Sequence, residues 1–600
     1  MVVTEIALVA VSPSGLDIAT RLKAALPGAR LHGLAGRVEG DYVFADTTAH
    51  LRALFAAGLP IVGICAAGIL IRAVAPLLAD KRLEPPVVAV ASDGTSVVPL
   101  LGGHHGANAL ARRIAKALEV SPALTTAGDL KLGLALDEPP AGWRLANPAI
   151  AKSVTAALLA EEPVALEIES GDADWLAGLA VTPEAELTIR VTDRAVATHD
   201  RELLFHPPTL ALGVGCERGT PAEILIALAR DTLAAEALAP ESVACVVSID
   251  LKADEAAVHA LAADLGVPAR FFTAAELEAE ASRLETPSDI VFAETGCHGV
   301  AEGAALAAGG PDAELILPKV KGNRATLAVA RAPHPIDPSA VGQARGRLFV
   351  VGIGPGNAEW RSPQASAAIA QCDDLVGYGL YLDLLGGLAG GKCRHESGLG
   401  AEEARARMAL ELAAEGKAVS LVCSGDPGIY ALATLVFELL DREKRADWNR
   451  VDITVVPGIS ALQAAAARAG APVNHDFCTI SLSDLLTPWD TIEARLRAAA
   501  AGDFVVCFYN PVSQRRRDQL SRARDILLSA RPPSTPVILA RQLGRPGESV
   551  DIIALADLDP ERVDMLTMVV VGNSETRSFV AGQHRWTYTP RGYGKKMGPA

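Results

Sequence analysis

Residues 348–363 read LFVVGIGPGNAEWRSP, and how this stretch is read decides the fold. It opens on an unbroken apolar run, 348–351, the pattern of a strand buried on both faces. Gly352, Gly354 and Gly356 follow, with Pro355 fixing one φ between two glycines. A turn of this composition lets a backbone lie against a flat ligand with no Cβ in the way. Ser362 and Pro363 then supply an N-cap and a first-turn proline for a helix over 364–371. Buried strand, glycine turn and capped helix make one βα unit at the edge of a small-molecule site. The spacing is G-x-G-P-G and no acidic residue closes a second strand at the required distance, which disfavours a dinucleotide site. A purely structural βα turn accounts for this stretch, taken alone, equally well.

Working outward, the same grammar recurs four times downstream. Strands over 419–423, 451–456, 504–508 and 565–571 end in Ser424-Gly425-Asp426-Pro427-Gly428, Pro457-Gly458-Ile459-Ser460-Ala461, Tyr509-Asn510-Pro511 and Gly572-Asn573-Ser574. Buried strands that end together in turns of small or polar residues build the ligand crevice of an open α/β sheet. Asp426 has two readings, a partner for a cation or ribose hydroxyl, or an Asx-turn before Pro427.

The 600 residues exceed one core and call for about four domains at ~150 residues each. Ala-rich helical patterns alternate with Val/Ile-rich runs, so the fold class is α/β and multidomain. The net charge of −16, with no long Lys/Arg block, argues against a nucleic-acid or membrane-surface protein. Nine scattered cysteines without a C-x-x-C give no metal or disulfide framework, so no metal site is expected. The N-terminus lacks a basic segment and a long apolar run, and a cytoplasmic protein is expected.

The first half divides by pattern into 1–136, a small central region 137–206, and 207–331, followed by a proline- and glycine-containing linker over 332–346. The last region, 347–600, splits near 457/458. Buried strands are expected at 5–11, 41–44, 60–65, 87–91 and 97–101. The turn Gly102-Gly103-His104-His105-Gly106 precedes a helix over 108–118, so His104 and His105 sit where an anion could bind and a proton could move. Solvent-facing histidines in a capped turn are the alternative. Strands over 209–215, 243–249 and 289–293 place Glu217, Glu294 and His298 in or beside glycine turns at what reads as one sheet edge. Lys319, Lys321 and Arg324 add positive charge to that region.

Taken together, VGIGPG at 351–356, SGDPGIYA at 424–431, VVPGISALQAAAARAG at 455–470, FYNP at 508–511 and LTMVVVGNS at 566–574 resemble the tetrapyrrole (precorrin) methylase family. They fall in family order and cover roughly 346–591. YGLYLDLL at 378–385, HDFCTISLSDLLTPW at 475–489, RRRDQL at 515–520 and TPRGYG at 589–594 resemble its precorrin-3B C-17 methylating, ring-contracting branch. In the first half, residues 63–81, LLGGHHGANALA at 100–111 and TTAGD at 125–129 resemble the cobalt-precorrin-5A hydrolase family, as do 210–228 and 315–330. The glycine-histidine turn has one glycine fewer than usual in that family, and TTATD is here TTAGD.

The resemblance implies a bifunctional enzyme of corrin-ring biosynthesis. It implies a methyltransferase using S-adenosyl-L-methionine, with Pro355, Ser424, Gly425, Asp426, Ile429, Ser460, Ala461 and Asn510 at the cofactor. It implies a polycarboxylate tetrapyrrole substrate, for which Tyr378, Arg394, Arg515, Arg541 and Arg591 are binding candidates, with Lys392, Arg516, Arg517 and Arg545 nearby. Tyr378, His395, Glu396 and Asp484 are the candidates for the proton movements of ring contraction. In the first half it implies a lactone hydrolase, with His104, Glu217 and Glu294 as catalytic candidates. A homodimer through the methylase region and contacts with other corrin enzymes are further expectations. Two other readings stand beside this one: a first half that only binds corrinoid intermediates, and a nicotinamide-dependent oxidoreductase built on the glycine turn.

Overall fold

The computed structural model describes residues 6–78, 84–124, 135–398, 400–513 and 516–592, together with the backbone but not the side chain of His104. The chain separates into two compact units, 1–345 and 346–600. The call TTAGD at 125–129 and the residue Arg515 lie outside the described residues, as does the end of the TPRGYG stretch.

The first unit holds three sheets. The first runs Tyr42–Phe44, Ala29–Leu34, Ile6–Ala10, Ile61–Ile64, Val87–Val90 and Val97–Leu101, parallel except for the last strand. Its central strand IALVA is buried throughout, because Leu8 and Ala10 pack on one face while Ala7 and Val9 pack on the other. Ala29–Leu34 carries Arg30 and His32 among its apolar residues, which hid it from a search for continuous apolar runs. A small second sheet joins Arg144–Leu145, Glu202–His206, Leu187–Val191 and Val164–Ile168. The third runs Ala269–Phe272, Val243–Ile249, Leu210–Cys216, Ala325–Arg331 and Glu314–Lys321, its last two strands antiparallel. Helix Val300–Gly309 crosses this sheet so closely that a Cβ on Gly213 would stand 1.9 Å from the Ala301 carbonyl oxygen.

One expectation fails in this unit. Residues 289–293 are helical, within Asp289–Thr295, instead of forming a strand. Ser288 accepts from the Val291 N–H as an N-cap, Gly296 ends the helix at φ 80°, and Ile290 is 76% exposed, so the run is not a buried strand. Glu294 is therefore an exposed helical residue and not a strand-end residue. The segment read as a linker is bound to the third sheet. Phe271 and Gln343 exchange both backbone hydrogen bonds at 2.8 and 2.7 Å, and Arg270 donates to the carbonyls of Val341 and Gly342.

In the second unit a fully parallel sheet runs Cys393–Ser397, Asp374–Tyr378, Ala418–Cys423, Arg347–Gly352 and Asp452–Val456. Ser362 accepts from the Ala365 N–H and starts the helix Pro363–Ala370. A second sheet runs Phe477–Ser481, Val505–Tyr509, Thr567–Val571, Pro536–Arg541 and Ser549–Ala554. Only its first pair is parallel. A three-stranded ribbon of Gly470–Ala471, His584–Tyr588 and Arg577–Ala581 completes the unit.

Candidate functional site

The C-terminal ends of the parallel strands converge because three turns carry glycine where they touch. A Cβ on Gly458 would lie 2.1 Å from the Gly425 carbonyl oxygen, and one on Gly352 2.5 Å from the same atom. Gly354 and Gly425 also exchange backbone hydrogen bonds at 3.2 and 2.8 Å. Three strand ends are thus stitched at backbone distance, and only glycine at 352 and 458 permits it.

Asp426 serves both sides of this seam. One carboxylate oxygen accepts from Gly428 N–H at 2.8 Å, the Asx-turn, and the other accepts from Gly458 N–H at 3.1 Å across to the next turn. Ser460 caps the helix Ala461–Ala469 in a reciprocal capping box with Gln463. Asn510 holds φ 49°, a left-handed conformation that Asn tolerates better than most residues, and donates to Ser481 Oγ at 3.1 Å.

These turns face a cleft of about 320 Å³. All eight expected cofactor contacts line it: Pro355, Ser424, Gly425 and Asp426 from the first sheet of the unit, with Ile429, then Ser460, Ala461 and Asn510. Val422, Cys423, Leu432 and Phe508 give it an apolar wall. Tyr378, Tyr381, Tyr430 and Tyr509 also line it, four of the seven tyrosines in the chain. Burial pushes the Tyr381 and Tyr509 phenols up and the Cys423 thiol up to about 11, so all three are neutral at physiological pH.

Two guanidinium groups reach the same space. Arg545 donates to the Pro355 carbonyl at 2.9 Å and to Ser424 Oγ at 3.2 Å, and burial lowers its pKa. Arg405, 5% exposed, donates to Ser397 Oγ at 2.8 Å and the Gly398 carbonyl at 2.9 Å. Neither has a carboxylate partner among the described residues. Arg405 is buried and Arg545 half-buried, and a desolvated cation without a counter-ion is costly, so these two side chains fit a site built for an anionic ligand group. Arg405 was not foreseen. Its signal was an arginine sharing the buried helical stripe of Ala409 and Ala413 at i+4 and i+8.

Other expected substrate contacts lie elsewhere. Arg394 pairs with Asp383 at 2.7 Å and Glu396 at 2.8 Å on an edge strand and does not line the cleft. Arg541 pairs with Asp564 at 2.6 Å, between the lining residues Ala540 and Gln542. Arg591 is exposed and away from the lining. Arg516 is built into the fold, holding the Asn510 carbonyl and Ser483 Oγ at 3.0 Å. His395 is bound to Asp374 at 2.7 Å, and neither it, Glu396 nor Asp484 lines the cleft.

The four strand ends do not all point one way. Thr567–Val571 runs antiparallel to Val505–Tyr509 and Pro536–Arg541, so its start faces the cleft through Met565, Leu566, Thr567 and Met568. Gly572-Asn573-Ser574 sits at the opposite edge, where Ser574 Oγ donates to Asp503 at 2.6 Å. An apolar buried run reads the same in either direction, and no residue in it reports polarity.

In the first unit, Glu217 accepts from Arg324 at 2.7 Å as a surface pair with its own side chain 66% exposed. Glu294 is exposed without a hydrogen-bond or ion-pair partner among the described residues. Among the described residues no group of His, Cys, Asp and Glu is arranged to hold a metal, and no helix is long and apolar enough to cross a membrane.

Comparison with known proteins bears on both halves. Residues 347–559 match the family described as Tetrapyrrole (Corrin/Porphyrin) Methylases. Residues 210–330 match Cobalamin synthesis G C-terminus, and 49–129 match Cobalamin synthesis G N-terminal. A Precorrin-3B C(17)-methyltransferase of Sinorhizobium sp is 45% identical over 249 residues, 41% of this chain and 97% of that protein. A Cobalamin biosynthesis protein CobIJ of Mycobacterium bovis is 44% identical over 252 residues, 41% of this chain and 48% of that protein, so the chain spans about half of its length. The crystal structure of the methyltransferase CobJ is 42% identical, covers 41% of this chain and 100% of that one, and superposes with a TM-score of 0.38.

Proposed function

This chain belongs to the tetrapyrrole methylase family, and we propose that its second half transfers a methyl group from S-adenosyl-L-methionine to C-17 of a precorrin-3B-type macrocycle, with ring contraction. Fused to it, the first half opens the lactone of a precorrin-5A-type intermediate, and its division at 136/137 and 206/207 into three domains belongs to the same reading. The observation that carries the methylase reading is the stitched glycine seam facing a cleft lined by buried Arg405 and half-buried Arg545, neither with a carboxylate partner among the described residues.

The residues present suit the cofactor. Pro355, Ser424, Gly425, Asp426, Ile429, Ser460, Ala461 and Asn510 would hold it, offering backbone groups, hydroxyls and little side-chain bulk. When bound, it supplies an electrophilic methyl group on a sulfonium. Orientation is the main contribution of this chain, since aligning two reactants is worth about 7–11 kcal/mol. Arg545 ties the Pro355 and Ser424 turns together and offers its remaining N–H groups to a carboxylate. Arg405 offers a second positive charge on the same lining. The exposed Tyr430, Ile459, Met565 and Leu566 give an apolar rim for a flat macrocycle. Tyr378 is the expected proton-transfer residue that lines the cleft, and Tyr381, its ring 5.3 Å away and its phenol pushed up by burial, is a protonated donor beside it.

The test incubates the purified chain with methyl-labelled cofactor and a trimethylated tetrapyrrole and records mass spectra of the pigment. One labelled methyl group per macrocycle is expected. An unlabelled pigment, together with calorimetric binding of NAD and not of S-adenosyl-L-homocysteine, overturns the reading.

A further inference from the structure

We propose that His298, oriented by Glu278, is the general base that activates water in the first half of the chain. The inference rests on reading that half as a lactone hydrolase. His298 occupies the short turn between helices Asp289–Thr295 and Val300–Gly309, and Glu278 ends the helix Ala274–Glu278, which follows a strand of the third sheet. Twenty residues of chain separate the two, so no sequence spacing announces the pair.

His298 is held through its backbone, through ring Nδ1 and on one ring face. The His298 N–H donates to Glu278 Oε2 at 2.9 Å, and its carbonyl accepts from Ser288 N–H at 2.8 Å. Ring Nδ1 stands 2.8 Å from Glu278 Oε1 and 3.0 Å from Oε2. The ring stacks on Phe292 at 4.4 Å and 25°. A carboxylate at Nδ1 sets the tautomer: Nδ1 donates and Nε2 keeps its lone pair. This is the arrangement of a base and its orienting acid. Nε2 faces outward, 3.6 Å from Asp289 Oδ1, whose side chain is fully exposed, and the imidazole is itself 28% exposed. Ile290 and Phe292, 76% and 43% exposed, put apolar surface beside it.

Glu278 faces Nδ1 from its own helix, and His298 holds that carboxyl below the usual range, first through its backbone N–H. Asp289 faces Nε2. Lys319, on the strand Glu314–Lys321, is tied to the Thr286 carbonyl at 2.9 Å, and Asp250 acts on the neighbouring Cys297 thiol, which burial pushes up. The thiol is therefore a poor nucleophile, and the imidazole is the available base.

The step balances with water alone. Water oxygen adds to the lactone carbonyl carbon as Nε2 takes its proton. The acyl C–O bond then breaks, and the departing alkoxide takes that proton back. One water is consumed and the neutral imidazole returns. Glu278 acts through His298 and is a positioning residue.

The test uses the full chain and a precorrin-5A-type lactone, following ring opening by mass spectrometry and methylation by label uptake. His298→Gln is expected to lower kcat for ring opening by about 10²–10⁴-fold with KM little changed and methylation intact. Glu278→Gln is expected to lower kcat by a smaller factor with KM little changed, and Glu278→Asp, which keeps a carboxylate to face Nδ1, to recover part of that loss. Wild-type rates in His298→Gln, or no recovery of kcat in Glu278→Asp over Glu278→Gln, overturn the assignment while the hydrolase reading stands. If the wild-type chain leaves the lactone closed, the hydrolase reading falls and takes this assignment with it.

Discussion

Arg545 and Gly458 show how single residues make the cleft. Arg545 bonds both the Pro355 and Ser424 turns. Charge-assisted hydrogen bonds contribute about 1.5–3 kcal/mol, so Arg545→Met is expected to weaken S-adenosyl-L-homocysteine binding by roughly ten- to a hundredfold, read by calorimetric titration. Lys would not substitute, lacking the planar fork that reaches two acceptors. Gly458→Ala forces a Cβ to 2.1 Å from the Gly425 oxygen, and backbone on both sides must part. A loss of about 1–3 kcal/mol in the second unit is expected, with weaker cofactor binding. Unchanged thermal unfolding of that unit would show that the seam is not tight. Glycine at 458 was legible as a turn residue; that its turn meets two others at contact distance was not, because the partners lie about thirty and a hundred positions away.

At the scale of elements, direction and packing decide. The start of Thr567–Val571 faces the cleft and its end does not. Met565→Ala is expected to raise KM for the tetrapyrrole several-fold without altering stability, whereas Ser574→Ala leaves kcat/KM unchanged; the reverse pattern would place the substrate at the other edge. Helix Thr47–Ala56 meets strand Ala29–Leu34 through His50 Nε2 and His32 Nδ1, 2.8 Å apart. Burial, and then His32, lower the His50 pKa from 6.5 to about 4. As pH falls below the unfolded value, the unfolded chain takes the proton first, so this contribution is full above pH 6.5 and is lost on the way to about 4. Amide exchange in Ala29–Leu34, corrected for intrinsic rates, is expected to accelerate between about pH 7 and pH 5, and His50→Gln to remove much of that dependence. Helix Asp289–Thr295 carries a related lesson. Its β-branched and aromatic run favours a strand, yet the Ser288 cap and Gly296 end bracket a helix, and capping outweighed propensity.

For the whole molecule, the two compact units, 1–345 and 346–600, call for more than one unfolding transition. A ligand that binds only the second should stabilise only that one. S-adenosyl-L-homocysteine at about a hundred times its Kd contributes ~2.7 kcal/mol and is expected to raise one calorimetric transition and leave the others in place. A uniform rise of all transitions would mean that the units unfold together. The segment 332–345 belongs to the first unit in this accounting, since Arg270 and Phe271 bind it, although its composition resembles a spacer.

By itself the sequence determined the α/β class and the buried strands that end in glycine turns, while the eight expected cofactor contacts that line the cleft came from the family resemblance of those turns. The class and the turns depend on local chain chemistry: apolar runs that bury, φ values that only certain residues accept, and caps that start helices. The tertiary structure alone decided the direction of Thr567–Val571, the burial of Arg405, and the pairing of Glu278 with His298. Strand polarity within a sheet, solvent access and side-chain distance are set by neighbours remote in the chain, and the identity of a residue carries no record of what folds against it.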